Sequence, residues 1–189
     1  MEECIFYREW LPLPKDQFNI LAMIATCGER FEGNFTDICH FLSVTPQSRN
    51  RTKIREALIA LKTGCWIGWE QDGRTQILTV NQKATKIAIP RDWVLSVIHH
   101  DYTSEKVARA QVLKLFIWIV YNKGDLTTNQ EIALALGVSE STICSAKNVL
   151  EKEFEIITKR KVSDKIFENL FIVRGQVLEA CAWWKDIAN

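Results

Sequence analysis

The chain has 189 residues, of which 47% are apolar and 25% charged, and its formal net charge is only +1. This length suits one large domain or two small ones, and the apolar fraction is enough to fill a core, which excludes a disordered chain. The longest apolar stretch, Leu115 to Tyr121, is far shorter than the ~20 residues that span a bilayer, and the N-terminal MEECIFYREW lacks a signal-peptide pattern, so we expect a cytoplasmic protein with no membrane partner.

The first half of the chain predicts three helices and a β-hairpin. A proline-marked segment, FYREWLPLP, favours extended backbone before a helix from Asp16 to Thr26. FTDICHFL predicts a short second helix, and CWIGWEQ and TQILTV flank Asp72-Gly73, a strong hairpin signal. Between them lies a third helix whose apolar positions recur at spacings of three and four: Ile54, Ala57, Leu58 and Leu61.

The second half predicts the same succession of elements. TKIAIPRDW is again proline-marked, and an apolar helix is expected from about Ser104 to Asn122. TTNQEIALAL predicts a short helix in which Thr128 and Glu131 have the spacing of a capping box. EIITKRKV and ENLFIV flank SDKI as a second hairpin. The helix between them has its apolar positions at Ile143, Ala146, Val149 and Leu150.

The two halves therefore form an internal repeat. A shift of 94 residues aligns Leu21 with Leu115, Ile38 with Ile132 and Val44 with Val138. We predict a mainly α-helical protein with small β-hairpins, an α+β fold, with a first domain at 1–85 and a second at 86–189. A final helix, QVLEACAWWKDI, has apolar residues at helical spacing that suit either core packing or a dimer interface.

The second half contains the sharper motif, NQEIALALGVSESTICSAKNVL. A small residue (Ala133), a glycine four positions later (Gly137) and an aliphatic anchor (Ile143) have the spacing of a helix-turn-helix, because the small side chain permits close helix crossing and the glycine makes the turn. Ser139 is placed to cap the helix that follows. At these residues the chain resembles the winged helix-turn-helix superfamily, and its doubled arrangement is similar to that of plasmid and phage replication initiators.

The first half departs from this motif in two ways. Cys39 and Ser43 stand where the small residue and the glycine are expected, and five more residues separate Ser43 from Ile54 than separate Gly137 from Ile143. Either the turn is longer or the helix starts a turn earlier, with Pro46 suited to its first turn.

Basic residues are concentrated in two segments. Residues 49–62 contain five basic residues and one acid, a net charge of +4, and residues 159–165 contain four basic residues and one acid, a net charge of +3, so the remainder sums to −6. Helical spacing places Arg49 and Lys53 at one edge of the third helix and Arg51 and Arg55 at the other. Gln47, Ser48, Asn50 and Thr52 would lie near base edges of DNA. The alternative is a merely solvated basic face.

The other predicted DNA-contacting residues lie in the first hairpin and in the second half. Arg74 flanks the first hairpin turn, and Lys159, Arg160 and Lys161 lie in the second hairpin. The corresponding helix of the second half offers Ser141, Ser145 and Asn148 but no arginine. We expect this half to contact DNA through its hairpin or to serve mainly for assembly. Trp66 and Trp69 could stack on single strands, but packing against helices is the preferred interpretation.

No catalytic or metal-binding pattern is evident. The six cysteines have no CxxC spacing, which favours buried, reduced thiols over a zinc site. We find no phosphate loop and no nucleophile motif, so we predict no enzyme activity and no cofactor.

What the resemblance implies is sequence-specific binding of double-stranded DNA, most directly in replication initiation on a plasmid, phage or other mobile element. A transcriptional repressor and a protein-interaction module, such as a phage-encoded inhibitor, are the alternatives. The expected partners are double-stranded DNA and, as further alternatives, a second copy of the chain or another protein.

Overall fold

The computed structural model describes residues 2–102, 107–122 and 128–154, together with short paired segments at 156–157, 160–161, 167–168 and 172–173. This part of the chain is a mixed α+β fold with seven α-helices and small sheets, which confirms the predicted α+β class. The chain divides into two compact units, Glu2–Ala88 and Ile89–Asn189. None of the described helices is long and apolar enough to cross a membrane.

The first unit combines α-helices with a three-stranded antiparallel sheet in the order β2-β4-β3. β1 pairs with β5, and the boundary between the units falls inside β5. The elements in chain order are β1 (Glu3–Tyr7), a 3-10 helix (Arg8–Trp10), α1 (Lys15–Thr26), β2 (Arg30–Gly33), α2 (Phe35–Phe41), α3 (Ser48–Thr63), β3 (Ile67–Asp72), β4 (Thr75–Val80) and β5 (Lys86–Pro90).

The core of the first unit forms around α1, which is buried continuously from Ile20 to Thr26. The inward stripe predicted for α3 is confirmed, since Ile54, Ala57, Leu58 and Leu61 are all buried. α3 and the β4 strand both pack against α1. The exposed side of α3 therefore faces away from the core of this unit.

The hairpin of the first unit forms as predicted, with one difference at its turn. Asp72 pairs with Thr75, so the two central turn residues are Gly73 and Arg74 rather than Asp72 and Gly73. Gly73 has φ +56°, and a positive φ at the first central residue suits glycine in a two-residue hairpin loop. Strand β2, which pairs with β4, was not predicted, because RFEG is too short to show an alternating pattern.

The second unit contains four α-helices and short strand pairs in its described part. β6 pairs with β9 and β7 pairs with β8, both antiparallel, which confirms the pairing expected of the second hairpin. The SDKI turn and the predicted final helix lie outside the described residues. The elements are α4 (Arg91–His99), α5 (Arg109–Asn122), α6 (Asn129–Leu136), α7 (Glu140–Phe154), β6 (Ile156–Ile157), β7 (Arg160–Lys161), β8 (Phe167–Glu168) and β9 (Ile172–Val173).

For the second unit one helix was missed and the start of another was placed wrongly. Helix α4 was not predicted, although Asp92 in its first turn is an ordinary helix-start signal. Helix α5 begins at Arg109 rather than near Ser104. Val107 is buried although it precedes the helix, so the apolar pattern extends beyond the helix itself.

The turn between α2 and α3 has the same backbone hydrogen bond as the turn between α6 and α7. In the second unit Gly137 has φ 64°, and the Val138 amide donates to the Ala133 carbonyl at 3.0 Å. In the first unit Ser43 has φ 54°, and the Val44 amide donates to the Cys39 carbonyl at 2.9 Å. Cys39 and Ser43 therefore occupy the same backbone positions as Ala133 and Gly137, despite the unexpected residue types.

The starts of α2 and α6 are also equivalent. The predicted capping box of Thr128 and Glu131 is confirmed, with both of its hydrogen bonds present. Asn34 and Asp37, which lie 94 residues earlier, form a second capping box that sequence reasoning missed. Asn-x-x-Asp is a less familiar form of the signal, but an amide oxygen and a short carboxylate can satisfy the same amides.

The five surplus residues of the first unit are divided between turn and helix. α3 starts at Ser48, five residues after Ser43, whereas α7 starts at Glu140, three residues after Gly137. Two of the extra residues therefore lengthen the turn, and three extend the N-terminus of α3. Pro46 lies in the turn and not in the first helical turn, so that part of the prediction was wrong.

Candidate nucleic-acid interface

Helix α3 presents a basic surface opposite its buried stripe. Its N-terminal half has four exposed basic side chains and one exposed acid, Glu56, in the same stretch. Gln47, Ser48 and Thr52 are also exposed. The four basic residues are Arg49, Arg51, Lys53 and Arg55.

The two arginines at one edge of α3 turn toward helix α2. The Arg51 guanidinium donates a hydrogen bond from Nη2 to Thr36 Oγ1 at 3.1 Å. The Arg55 guanidinium carbon lies 5.3 Å from the centroid of the Phe35 ring, in a cation–π contact. Both side chains are thus directed by residues at the N-terminal end of α2.

These arginines line a groove between α2, α3 and the β3-β4 hairpin, with a volume of about 420 Å³. We call it the arginine groove. None of its described lining residues is acidic. It is lined by Asn34, Phe35, Thr36, Arg51, Arg55, Gln71, Gly73, Arg74 and Gln76.

Strand alternation keeps the acids of the hairpin away from this groove. Gln71 and Gln76 are cross-strand partners, and both line the groove. Glu70 and Asp72 flank Gln71 along β3, and adjacent strand residues point to opposite faces of a sheet. The carboxylates of Glu70 and Asp72 therefore do not line the groove beside the three arginines.

Side-chain amides hold the tip of the hairpin. The Gln76 amide donates to the Arg74 carbonyl at 3.2 Å, and the Gln71 amide donates to the Gly73 carbonyl at 2.9 Å. Gln76 Oε1 in turn accepts a hydrogen bond from Trp69 Nε1 at 2.9 Å, and Gln76 is only 1% exposed. These hydrogen bonds, anchored by the buried Gln76 amide, restrain the backbone that carries Arg74.

Both tryptophans near the hairpin already have cationic neighbours. Lys62 Nζ lies 5.9 Å from the centroid of the Trp69 ring, and Lys83 Nζ lies 4.6 Å from that of Trp66. Both rings are half-buried. These contacts favour packing over service as stacking platforms for bases.

The opposite edge of α3 borders a separate depression of about 220 Å³. Lys53 lines it together with Lys15, Asp16 and Asn19 of α1. Asn50, expected near base edges, also lines this depression, and its amide donates to the Thr45 carbonyl at 2.9 Å. Its side chain therefore stabilises the turn before α3.

The thiol of Cys39 lies close to the arginine groove but is buried. Burial raises the pKa of this thiol, and the positive charge of Arg51 opposes the shift. The expectation of buried thiols holds for Cys4 and Cys39 but was wrong for Cys27, Cys65 and Cys144, which are exposed. These three cysteines lie in turns or on a helix at positions that do not face the core.

The corresponding helix of the second unit, α7, lacks this basic surface. Ser141 and Asn148 are exposed and Ser145 is half-buried. With Ile54 aligned on Ile143, the positions of Arg51 and Arg55 are taken by Glu140 and Cys144. Asn129, the counterpart of Phe35, donates to Cys144 Sγ at 3.4 Å, where the first unit has its Phe35–Arg55 contact.

Two lysines of the second unit are buried, and sequence reasoning did not single them out. Lys147 occupies the position of the buried Leu58, is 2% exposed, and donates to Asn129 Oδ1 at 2.6 Å. Lys114 is 3% exposed and donates to the Leu136 carbonyl at 3.4 Å, near the C-terminus of α6. Burial lowers the pKa of Lys114 to about 8.

The basic residues predicted for the second hairpin are only partly described. Lys159 lies outside the described residues, as do the side chains of Arg160 and Lys161, whose backbones form β7. In the described part of the chain, no three His, Cys, Asp or Glu side chains come together as a metal site.

Comparisons with protein-family models, with curated proteins and with solved structures find no match to this chain.

Proposed function

We propose that the chain consists of two tandem winged helix-turn-helix domains and that the first binds double-stranded DNA in a sequence-specific manner. The order of elements from α1 to β4 and the three-stranded sheet support the domain type. The matching turns and capping boxes of the two units support the tandem repeat.

The observation that carries the proposal is the concentration of positive charge on α3. This helix has a net charge of +4 in a chain of +1, and its opposite side is buried. A basic helix that is anchored along one side and exposed along the other is the element that such a domain presents to the major groove. Exposed Gln47, Ser48 and Thr52 offer hydrogen-bonding groups for base edges.

Within this proposal, the biological role is replication initiation on a plasmid, phage or other mobile element, in the cytoplasm and without enzymatic activity. The tandem arrangement supports this role, because replication initiators of that kind are built from two winged helices. Transcriptional repression uses the same contacts and is the alternative role.

A protein-interaction role is the second candidate, and the surface of the second unit favours it. α7 has no basic residue at the positions of Arg51 and Arg55, and Leu134 on α6 is 83% exposed. In this alternative, the second unit contacts another protein or a second copy of the chain.

Selection of duplexes from a random pool, followed by fluorescence anisotropy on the selected sequence, tests the DNA-binding proposal. We expect Arg49→Ala, Arg51→Ala, Lys53→Ala and Arg55→Ala together to weaken binding by at least tenfold at low salt. The slope of the logarithm of affinity against the logarithm of salt concentration should become shallower by ~0.9 for each phosphate that the variant no longer neutralises.

A control variant removes exposed charge elsewhere. Arg30→Ala, Lys86→Ala and Lys152→Ala together should change affinity little, since all three side chains are exposed and outside α3. Circular dichroism and urea unfolding establish that both variants are folded. An unchanged affinity in the folded quadruple variant would show that α3 is not the DNA-contacting element.

A further inference from the structure

Each polar side chain of the arginine groove, other than the arginines, already makes at least one hydrogen bond within the protein. Asn34 Oδ1 accepts the backbone amides of Thr36 and Asp37. The amide groups of Gln71 and Gln76 donate to carbonyls of the hairpin turn. Thr36 Oγ1 accepts from Arg51.

The groove therefore offers positive charge but few groups that could distinguish one base from another. Direct readout needs side-chain donors and acceptors that are available to base edges. Guanidinium groups, each with five donors in a planar fork, retain capacity after one hydrogen bond and match phosphate oxygens in geometry.

We propose that the arginine groove holds the sugar–phosphate backbone of one DNA strand through Arg51, Arg55 and Arg74, and that it contributes affinity without reading sequence. The proposal rests on the DNA-binding function proposed above, and it assigns backbone affinity and sequence recognition to different residues of the first unit. Sequence is then read by the exposed N-terminal residues of α3, together with Gln47 that precedes them.

The guanidinium groups of Arg51 and Arg55 are restrained before DNA binds, and the backbone of Arg74 is restrained as well. Thr36 directs Arg51, the Phe35 ring lies against Arg55, and the Gln76 network restrains the backbone at Arg74. A restrained side chain loses less conformational entropy on binding, so preorganised contacts give more affinity for the same number of phosphates.

An acidic segment of another protein is the main competing occupant, since carboxylates also pair with arginine. DNA is favoured because the groove adjoins α3, which begins with the exposed Ser48 and Arg49 and is preceded by the exposed Gln47. The second unit has Glu140 and Cys144 in place of Arg51 and Arg55, so the groove belongs to the first unit alone among the described residues.

The decisive experiment compares a selected duplex with a scrambled duplex of the same length, each titrated over a range of salt concentrations. For Arg51→Ala, Arg55→Ala and Arg74→Ala together, we expect an equal fold-loss of affinity on the two duplexes. The salt slope should become shallower by about 2 to 3, at ~0.9 per phosphate.

A matched variant changes the exposed reading face without removing charge. Gln47→Ala with Ser48→Ala should reduce the ratio of affinities for the selected and scrambled duplexes by about tenfold or more, with the salt slope unchanged, because a good base contact contributes about 1–3 kcal/mol of discrimination. A pair of single variants tests the positioning role of Thr36. Thr36→Val should lower affinity for both duplexes several-fold, and Thr36→Ser, which keeps the hydroxyl that accepts from Arg51, should restore it.

Failure of this proposal is distinct from failure of the DNA-binding function. If the unmodified protein binds neither duplex in a salt-dependent way, both fail. If it binds and the triple arginine variant keeps the original slope, or has reduced affinity only for the selected duplex, the groove does not hold the backbone. Retained duplex binding by that variant, together with abolished binding of polyglutamate, would identify an acidic protein segment as the occupant instead.

Discussion

Ser43 and Gly137 occupy equivalent positions in two turns, and both have a positive φ, yet only one is a glycine. A left-handed backbone costs an L-residue roughly 1–2 kcal/mol, whereas glycine adopts it freely. The first unit tolerates this cost because the amide of Val44 is bonded to the Cys39 carbonyl and the helices on both sides are anchored by buried side chains such as Ile38 and Ile54.

Removal of the glycine from one turn and introduction of a glycine into the other should have opposite effects on stability. We expect Gly137→Ala to lower the free energy of unfolding by about 1 kcal/mol, and Ser43→Gly to raise it by less than about 1 kcal/mol, since glycine also gains entropy in the unfolded chain. Urea unfolding measures both. Ala135→Gly, at an exposed helical position, is the control and should be destabilising. A stabilising Gly137→Ala would contradict the left-handed turn.

Lys114 should make stability depend on pH in alkaline solution. Its pKa of about 8 in the folded protein lies below the ordinary lysine value, so the unfolded state binds more protons between about pH 8 and 10. The free energy of unfolding attributable to Lys114 should therefore rise with pH across that window, by on the order of 1 kcal/mol from pH 8.5 to 9.5.

Comparison with Lys114→Met isolates this effect, because the apolar side chain cannot titrate. The free energy of unfolding of the unmodified protein should increase relative to that of the variant as pH rises from 8.5 to 9.5. A difference between the two proteins that is independent of pH would mean that Lys114 titrates normally in the folded state.

At the scale of elements, α2 and α6 show how short helices are stabilised in both units. Each has seven or eight residues, too few to be stable alone in water. Each begins with a reciprocal capping box and ends in a turn bonded back to the helix. Local hydrogen bonds at both ends thus support the buried contacts of Ile38 and Ile132.

Loss of a cap should destabilise the second unit by a modest amount. We expect Thr128→Ala to lower the free energy of unfolding by about 1 kcal/mol, because the amide of Glu131 loses its acceptor. Thr128→Ser, which retains a hydroxyl, should recover most of the loss. Chemical denaturation followed by circular dichroism measures both variants, and equal effects of alanine and serine would argue against the capping role.

At the scale of the whole molecule, a near-neutral net charge conceals an uneven distribution. Segment 49–62 has a net charge of +4 and segment 159–165 has +3, and the rest of the chain is acidic. Long-range attraction to DNA is weak for such a chain, so affinity should depend on a few local contacts.

The two basic segments should contribute unequally to DNA binding. We expect Lys159→Ala, Arg160→Ala and Lys161→Ala together to weaken duplex binding by less than the quadruple variant of α3, because α7 has no arginine to support a second interface. Anisotropy at matched salt concentrations compares the two variants. An equal or larger decrease in affinity from the second segment would show that the second unit contributes at least as much as the first.

The elements that could be predicted from the sequence are those encoded by residues close together in the chain. The helix from Asp16 to Thr26, the inward stripe of α3, the box of Thr128 and Glu131 and the turn at Gly137 all depend on spacings of three or four residues. Periodicity and capping act over one helical turn, so the amino-acid sequence alone determines them.

Tertiary structure decided the features that depend on distant residues. Strand β2 exists because Phe31 pairs with Leu78, a partner that its four-residue segment does not indicate. Helical spacing placed Arg51 and Arg55 at one edge of α3. Their side chains line a groove together with Arg74 because they contact Thr36 and Phe35, which lie 15 and 20 residues earlier in the chain. Side-chain direction is set by packing between elements, and this is why the chain by itself determined a basic helix and only the folded protein assembled the arginine groove.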